Sequence, residues 1–186
     1  MIASSYKELN RSIEWHILPV NRCISMVSEG RLDADIGRHT IVTEIYPNLV
    51  SVPVPLYTME IDLISRKRLN TPLPAAEKFL IDDDRRVAYP EFILYIRNML
   101  SPERSIAAKS AEQMVSLLKK GRVDFILLPS IETRRLQETD KSFSELHIVR
   151  QGYVKFQGYH ILHQRHERLA VQLEETFRRN IGNLQD

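Results

Sequence analysis

The sequence predicts an α/β protein built from two similar halves, and an internal repeat is the main sign of this. Residues 24–36 recur 91 residues later as residues 115–127, with four identical positions and apolar residues kept at the apolar positions. In each copy an amphipathic pattern ends at a glycine, Gly30 or Gly121, and a short apolar run follows. Glycine readily takes the left-handed conformation that ends a helix. Two helix–glycine–strand units predict two α/β halves, and a crevice between two such halves is a common ligand site.

The first half of the chain alternates between helical and extended patterns. Its apolar spacing and its β-branched and aromatic residues predict a helix over 2–9, a strand over 13–17, a helix over 20–29, a strand over 33–37 and extended segments over 49–52 and 56–65. Residues 66–74 are basic and contain proline, and we interpret them as a crossing between the two halves.

The second half repeats the alternation of strands and helices. We predict strands over 86–89, 105–108, 123–128 and 159–163, a helix that ends near residue 100, and a closing helix with Leu169, Leu173, Phe177 and Ile181 on one face. Ser110 suits the N-cap of the second repeated helix. The continuous apolar run over 123–128 is typical of a parallel strand covered on both faces. Alternating strands and helices therefore predict an α/β fold with parallel sheets.

Composition excludes several classes of protein. With 186 residues, 43% hydrophobic and 27% charged, the chain is expected to be soluble and large enough for one big domain or two small lobes. No stretch approaches the roughly 18 apolar residues that a membrane-spanning helix needs. The formal charge of +2 and the scattered basic pairs give no face for nucleic acid. Cys23 is the only cysteine, so we expect no intrachain disulfide, and we interpret Cys23 as a buried bystander.

Five motifs, in order along nearly the whole chain, resemble the extracellular solute-binding proteins of family 3, the type II periplasmic binding proteins of ABC importers. They are Leu18-Pro19-x-x-Arg22, Gly30-Arg-Leu-Asp33-Ala-Asp35, Tyr46-Pro47-Asn48-Leu49-Val-Ser-Val-Pro53, Gly121-Arg-Val-Asp124 and Tyr159-His-x-Leu-His-x-x-His-x-x-Leu169. The resemblance implies a two-lobed fold with a mostly parallel sheet in each lobe and a hinge between them. Lobe 1 would hold residues 1–66 and 155–186, and lobe 2 would hold residues 67–154.

The resemblance also implies a function. A protein of this kind would be periplasmic, would capture a small polar, amino-acid-like solute by lobe closure, and would deliver it to an ABC importer permease. It would need no cofactor and would not be an enzyme. An enzyme on the same scaffold, a truncated non-binding paralogue and a sensor domain are the alternatives, because a fold does not fix a function.

The resemblance places Met1 at the family's first helix, so the family's first strand and any signal peptide would be missing from the chain as given. That strand is central in the sheet of lobe 1, and its absence would leave unpaired backbone groups beside residues 33–37. Either the start of the chain is truncated or misannotated, or another molecule covers the gap. A segment of a second copy would give a homodimer through lobe 1.

The family's usual ligands for an α-amino acid are not matched in this sequence. Ile45 stands near the position of the arginine that binds the carboxylate, and Pro129 stands near that of the aspartate that binds the amino group. Arg38 is the nearest substitute for the arginine, at the carboxyl end of a predicted strand where crevices form in α/β sheets. A surface arginine is the alternative interpretation. The pocket chemistry is therefore expected to differ from that of an ordinary amino-acid binder.

Three further residues complete the predicted ligand site. Tyr57, Tyr89 and Glu91 would lie near the crossing or at the mouth of the second lobe, where a tyrosine offers a flat apolar face and a hydroxyl. Packing in the core is the alternative for each of them. Arg22, on the first repeated helix, is expected to be an anchor within its lobe rather than a ligand contact.

No catalytic or metal site is predicted. Asp33 and Asp124 occupy equivalent places in two separate halves, so a repeated structural role explains them better than an acid/base pair. His160, His163 and His166 could suggest a metal cluster, but on a strand His160 and His163 face opposite sides. No cysteine or nearby carboxylate completes a ligand set.

Overall fold

The chain divides into two compact units. In this computed structural model, which describes residues 1–182, unit 1 comprises residues 1–58 together with the chain from residue 157 on, and unit 2 comprises residues 59–156. The strands are β1 (Ala34–Arg38), β2 (Leu49–Ser65), β3 (Val87–Pro90), β4 (Ser105–Ala108), β5 (Phe125–Pro129) and β6 (His147–His163). The helices are α1 (Ile2–Glu8), α2 (Val20–Ser28), α3 (Ile41–Ile45), α4 (Ala76–Asp82), α5 (Leu94–Met99), α6 (Ala111–Lys119), α7 (Ser130–Thr139) and α8 (Glu167–Gly182).

Two long strands pass through both units. The hydrogen-bonded strand order is β1-β6-β2-β5-β3-β4, and β2 and β6 each have 17 residues. The units divide within these strands, at Thr58 and at Gln157, whereas we predicted lobe boundaries after residues 66 and 154. The basic loop over 66–74 lies inside unit 2.

Unit 1 packs helices against its part of the two long strands. Its core cluster is built from Tyr6, Val52, Val54, Leu162, Ala170, Leu173 and Phe177. Strand β1 pairs in antiparallel fashion with the C-terminal end of β6. The mostly parallel sheet that we expected in each lobe is thus not found at β1, because its neighbour is a strand that returns from the other unit in the opposite direction.

Unit 2 contains the predicted parallel pairing. Strand β3 is parallel to β4 and to β5, and β5 pairs with β2 in antiparallel fashion. Side chains of β5 alternate between two clusters: Phe125 and Leu127 belong to one, Ile126 and Leu128 to the other. All four are at most 1% exposed, so both faces of the strand are covered, as its continuous apolar run predicted.

The internal repeat corresponds to matching local structures. Gly30 follows α2 with φ of 72°, and Gly121 follows α6 with φ of 66°. In both copies the glycine N–H donates to the carbonyl three residues back, at 2.9 Å for Gly30 and 3.0 Å for Gly121. The next N–H donates to the carbonyl five residues back, at 2.9 Å in each copy. The two predicted helix–glycine–strand units are confirmed.

Other predictions of secondary structure are wrong or incomplete, because contacts between distant residues decide the structure of those segments. The strand predicted over 13–17 is wrong: the segment belongs to no helix or strand, because no neighbouring strand pairs with it. Helices α3, α4 and α7 and the first part of β6 were missed, since short or mostly polar segments carry little periodic signal. Within residues 1–182 no helix has the length and apolarity required to cross a membrane.

The two turns yield a paired prediction. Replacing Gly30 or Gly121 with alanine should lower the free energy of unfolding by about 1 kcal/mol each, because an added Cβ disfavours positive φ. The added Cβ would meet the side chains of Arg165 and His163 in the first copy and that of Arg66 in the second, all at 3.3 Å or more, so the two losses should be similar. Urea unfolding measures both. Gly182→Ala is the control, since nothing lies within 4 Å of its added Cβ.

A loss several times larger in one copy would show that its turn is held differently from the other.

Candidate functional site

Unit 2 has a cavity where its three parallel strands end. Strands β3, β4 and β5 finish at Pro90, Ala108 and Pro129, and the residues that follow line a cavity of about 230 Å³. The lining residues are Pro90, Phe92, Ala108, Lys109, Ser110, Ala111, Glu112, Met114, Leu128, Pro129 and Glu132. The carboxyl ends of parallel strands are where open α/β sheets bind ligands. We name this the unit 2 cavity.

Helix α6 begins at this cavity. The Ser110 hydroxyl accepts a hydrogen bond from the N–H of Gln113 at 3.2 Å, so Ser110 is the N-cap predicted from the sequence. The Gln113 side chain in turn accepts from the Lys109 N–H at 2.8 Å. The first N–H groups of a helix carry partial positive charge and favour an anionic group nearby.

Two carboxylates also line the unit 2 cavity, and one arginine holds both. Arg135 donates to Glu112 at 2.6 Å and to Glu132 at 2.8 Å. Its hydrogen bond lowers the pKa of Glu112, and Glu112 and Glu132 raise the pKa of Arg135. One cation is shared by the two carboxylates, and Lys109 brings a second cation to the cavity lining. The cavity thus offers acceptors for a cationic group and a helix start for an anionic one.

The two site residues predicted in unit 2 flank this cavity without lining it. Tyr89 is 5% exposed and belongs to the core of unit 2, where burial raises the pKa of its hydroxyl. Glu91 is half-buried, and its N–H donates to the carbonyl of Ala108 at 2.9 Å. Their neighbours Pro90 and Phe92 do line the cavity. A ligand role for Tyr89 and Glu91 stays a prediction.

In unit 1 the predicted ligand residue Arg38 is hydrogen-bonded to groups of its own unit, and its ligand role stays a prediction. Its guanidinium donates to Asp35 at 2.5 Å and to the carbonyl of Val20 at 2.8 Å, which ties β1 to the start of α2. The Arg38 side chain is 13% exposed. Arg22, expected to be the anchor of this lobe, is exposed and has no polar partner among residues 1–182.

The structure brings Tyr57 to the same end of β1 as Arg38. The Tyr57 hydroxyl donates to the carbonyl of Gly37 at 2.9 Å, and the ring lies against Gly37 and Gly158, where an added Cβ would come within 2.5 Å and 2.7 Å of its atoms. Partial burial raises the pKa of Tyr57, and the nearby charge of Arg38 opposes that rise. With 41% of its surface exposed, Tyr57 is a fixed aromatic side chain that a ligand can reach.

Asp33 and Asp124 have the same structural task in the two copies of the repeat. Asp33 contacts Arg165 at 2.5 Å and His166 at 2.7 Å, and Asp124 accepts from the N–H of Arg86 at 2.8 Å. Each arginine also donates to the carbonyl of the repeat glycine in its own copy. Both aspartates therefore stabilise the turn after the helix, which is the repeated structural role that the sequence predicted.

A second cavity lies in unit 1, and sequence reasoning missed it. It has a volume of about 540 Å³ and is lined by residues 12–16, residues 31–36, Ile2, Tyr6, Cys23 and His160. We name this the unit 1 cavity. Burial and the Asp35 carboxylate raise the pKa of the Cys23 thiol to about 11, so Cys23 is neutral at pH 7. Among residues 1–182 no group of three or more histidine, cysteine, aspartate or glutamate side chains could hold a metal ion.

His160 forms the buried wall of this cavity. Its Nδ1 lies 3.0 Å from the carbonyl oxygen of Asp35, which can only accept, so Nδ1 carries the hydrogen. Nε2 then accepts from the Tyr6 hydroxyl at 2.8 Å. Burial lowers the pKa of His160 to about 4 and raises that of Tyr6 to about 12. Both groups are neutral at physiological pH.

The buried histidine makes stability depend on pH. The pKa of a histidine in the unfolded chain is near 6.5. Between pH 6.5 and 4 the unfolded chain is therefore protonated at this histidine, whereas the folded chain is not. The free energy of unfolding should therefore be highest above pH 6.5 and fall by on the order of 3 kcal/mol as the pH decreases to 4. Urea unfolding across this range measures it, and His160→Gln should remove most of the decrease.

His16→Gln is the matched control, because it makes the same substitution at an exposed histidine of the same unit. An unchanged slope in His160→Gln would contradict the neutral, buried state of His160.

Comparison with known proteins identifies the fold. No family profile matches the sequence, and no curated protein sequence matches it significantly. Among solved structures, a histidine kinase sensor domain with similarity to periplasmic binding proteins has a TM-score of 0.69 at 15% identity, over 98% of this chain and 79% of that one. Holo ArgBP from T. maritima has a TM-score of 0.65 at 15% identity, over 96% and 77%. The GluR0 ligand-binding core in complex with L-glutamate has a TM-score of 0.63 at 14% identity, over 94% and 78%.

These similar structures are two-lobed proteins of the periplasmic-binding-protein type, so the predicted fold class is confirmed. They are binding proteins and a sensor domain.

Proposed function

We propose that this chain binds a small, polar, amino-acid-like solute and leaves it chemically unchanged. The observation that carries the proposal is the unit 2 cavity, which combines the start of α6 with the carboxylates Glu112 and Glu132. A zwitterion presents one anionic and one cationic group. The helix start suits the first, and a carboxylate suits the second.

Two features of the cavity favour a zwitterion over a simple anion. Pro129 stands where the resembled family has an aspartate, and Glu132, one turn into α7, supplies a carboxylate to the same cavity. Phe92 and Met114 add apolar surface beside these charges, which would suit the aliphatic part of a small metabolite. Two of the similar structures, ArgBP and the GluR0 ligand-binding core, hold arginine and L-glutamate, and this supports the same class of ligand here.

Tyr57 is the residue of unit 1 that we propose to contact the solute, since its ring is held in place and accessible. We propose a positioning role for Arg38, because its guanidinium is bound to Asp35 and Val20. Capture would follow from closure of one lobe on the other, with the crossing strands β2 and β6 as the hinge, and the bound solute would stabilise the closed arrangement.

The wider role that we propose follows the resemblance to family 3. The protein would be periplasmic and would deliver its solute to the permease of an ABC importer. The similar histidine kinase sensor domain favours a second candidate, in which the same solute binding feeds a signalling partner. Genetic linkage to a permease or to a kinase would distinguish these two outputs. An enzyme on this scaffold is the third alternative.

A ligand screen tests the proposal. Thermal shift with the standard amino acids and related small zwitterions should find stabilising compounds, because a ligand at about 100 times its dissociation constant adds about 2.7 kcal/mol. Chromatography of the recovered compound should show it unchanged. Glu132→Gln should weaken the binding of the best compound about tenfold, through loss of a charge-assisted hydrogen bond.

Glu138→Gln is the matched control, an exposed glutamate of the same helix outside the cavity. Three results would contradict the proposal: no stabilising zwitterion, a chemically altered compound, or equal weakening by Glu138→Gln.

A further inference from the structure

Unit 2 has another cavity, beside the basic loop over residues 66–74. This cavity has a volume of about 650 Å³, and we name it the loop cavity. One of its walls comes from the loop, and the other comes from residues 146–150, which include the start of β6. The loop cavity shares no lining residue with the unit 2 cavity, so it is a separate candidate site.

Hydrogen bonds and packing hold the loop in place. At its end the Tyr153 hydroxyl donates to the carbonyl of Pro74 at 2.8 Å. At its start the Ser65 hydroxyl donates to the carbonyl two residues further on. Between these points Leu69 and Leu73 pack against the hydrophobic core of unit 2. A wall that is fixed before a ligand arrives lowers the entropic cost of binding.

The second wall of the loop cavity is also anchored in the core. Leu146 is 8% exposed and belongs to one hydrophobic cluster of unit 2. Ile148 packs against that same cluster, and Val149 packs against the other one. Together with Leu69 and Leu73 of the loop, these residues give the cavity apolar surface of the kind that receives the apolar body of a ligand.

Two arginines bring positive charge to the loop cavity, one from each wall. Arg68 and Arg150 are exposed, and among residues 1–182 their side chains form no hydrogen bond and no ion pair. None of the lining residues is acidic. Glu145, the acidic residue next to this lining in the sequence, pairs with Lys119 at 3.5 Å. The two guanidinium groups are therefore available to an anion, and guanidinium geometry matches a carboxylate or a phosphate.

We propose that the loop cavity binds a small organic phosphate monoester. Arg68 and Arg150 would pair with the phosphate, and the apolar walls would cover part of the organic group. A phosphate monoester carries about two negative charges at neutral pH, so two guanidinium groups suit it better than they suit a single carboxylate. Water screens exposed arginines and weakens their attraction for a free anion, so the apolar contact selects an organic phosphate over inorganic phosphate. This site does not depend on the solute site in the unit 2 cavity.

Three matched probes test the proposal by calorimetric titration of the full chain at low ionic strength. Phenyl phosphate should bind at a single site. Phenol has the same apolar body without the charge, and inorganic phosphate has the charge without the body. Each of these two should bind at least about tenfold more weakly than phenyl phosphate, since each lacks one half of the interaction. Added salt should weaken the binding of phenyl phosphate, because exposed charges are screened.

Variants at the two arginines locate the binding. Arg68→Gln and Arg150→Gln should each weaken the binding of phenyl phosphate about tenfold, through loss of a charge-assisted hydrogen bond. Both side chains are exposed and have no polar partner among residues 1–182, so the variants should unfold at the same urea concentration as the wild type. Arg134→Gln is the matched control, at an exposed arginine of α7 that lines neither of the two cavities. Glu132→Gln should bind phenyl phosphate normally, which separates this test from that of the solute.

Four results would overturn the proposal: no binding of phenyl phosphate, equal binding of phenol, equal binding of inorganic phosphate, or equal weakening by Arg134→Gln. Full binding by both Arg68→Gln and Arg150→Gln would place the probe elsewhere on the chain, which also contradicts the proposal. Loss of phenyl phosphate binding in Glu132→Gln would show that the probe occupies the unit 2 cavity instead.

Discussion

The two units of this protein differ in the backbone hydrogen bonds of the repeated strand, which is β1 in unit 1 and β5 in unit 2. Strand β5, in the second copy of the repeat, pairs on both edges, with β2 and with β3. Within residues 1–182 its equivalent β1 pairs on one edge, with β6. The turns before the two strands are alike, so the difference lies in the strands themselves and in the neighbours that each one pairs with. An extended segment becomes part of a sheet only where another segment accepts its N–H and C=O groups.

Strand β1 lines the unit 1 cavity, and this explains the polar chemistry of unit 1. Tyr6 and His160 form part of the wall of the same cavity. Their mutual hydrogen bond and the carbonyl of Asp35 satisfy both imidazole nitrogens, which lets a histidine remain neutral in the core. The buried pair therefore depends on the way β1 is paired.

The candidate ligand site of unit 2 follows from strand direction. Three parallel strands end together, and the start of α6 joins them at the unit 2 cavity. The sequence predicted the strands and the Ser110 cap. It pointed to Tyr89 and Glu91, whereas Glu112 and Glu132 line the cavity. Helical residues near a cavity carry no local signal that separates them from an ordinary solvated helix surface.

Sequence alone determined the local, periodic features of this protein. The turns at Gly30 and Gly121 depend on contacts within a few residues, and the buried strand β5 depends on a continuous apolar pattern. These features can therefore be predicted from the sequence. Tertiary structure decided which segments found partners. Residues 13–17 have the pattern of a strand and remain unpaired, and Arg38, with the pattern of a ligand residue, is tied to Asp35. Pairing and burial depend on residues far apart in the chain, and no local pattern records them.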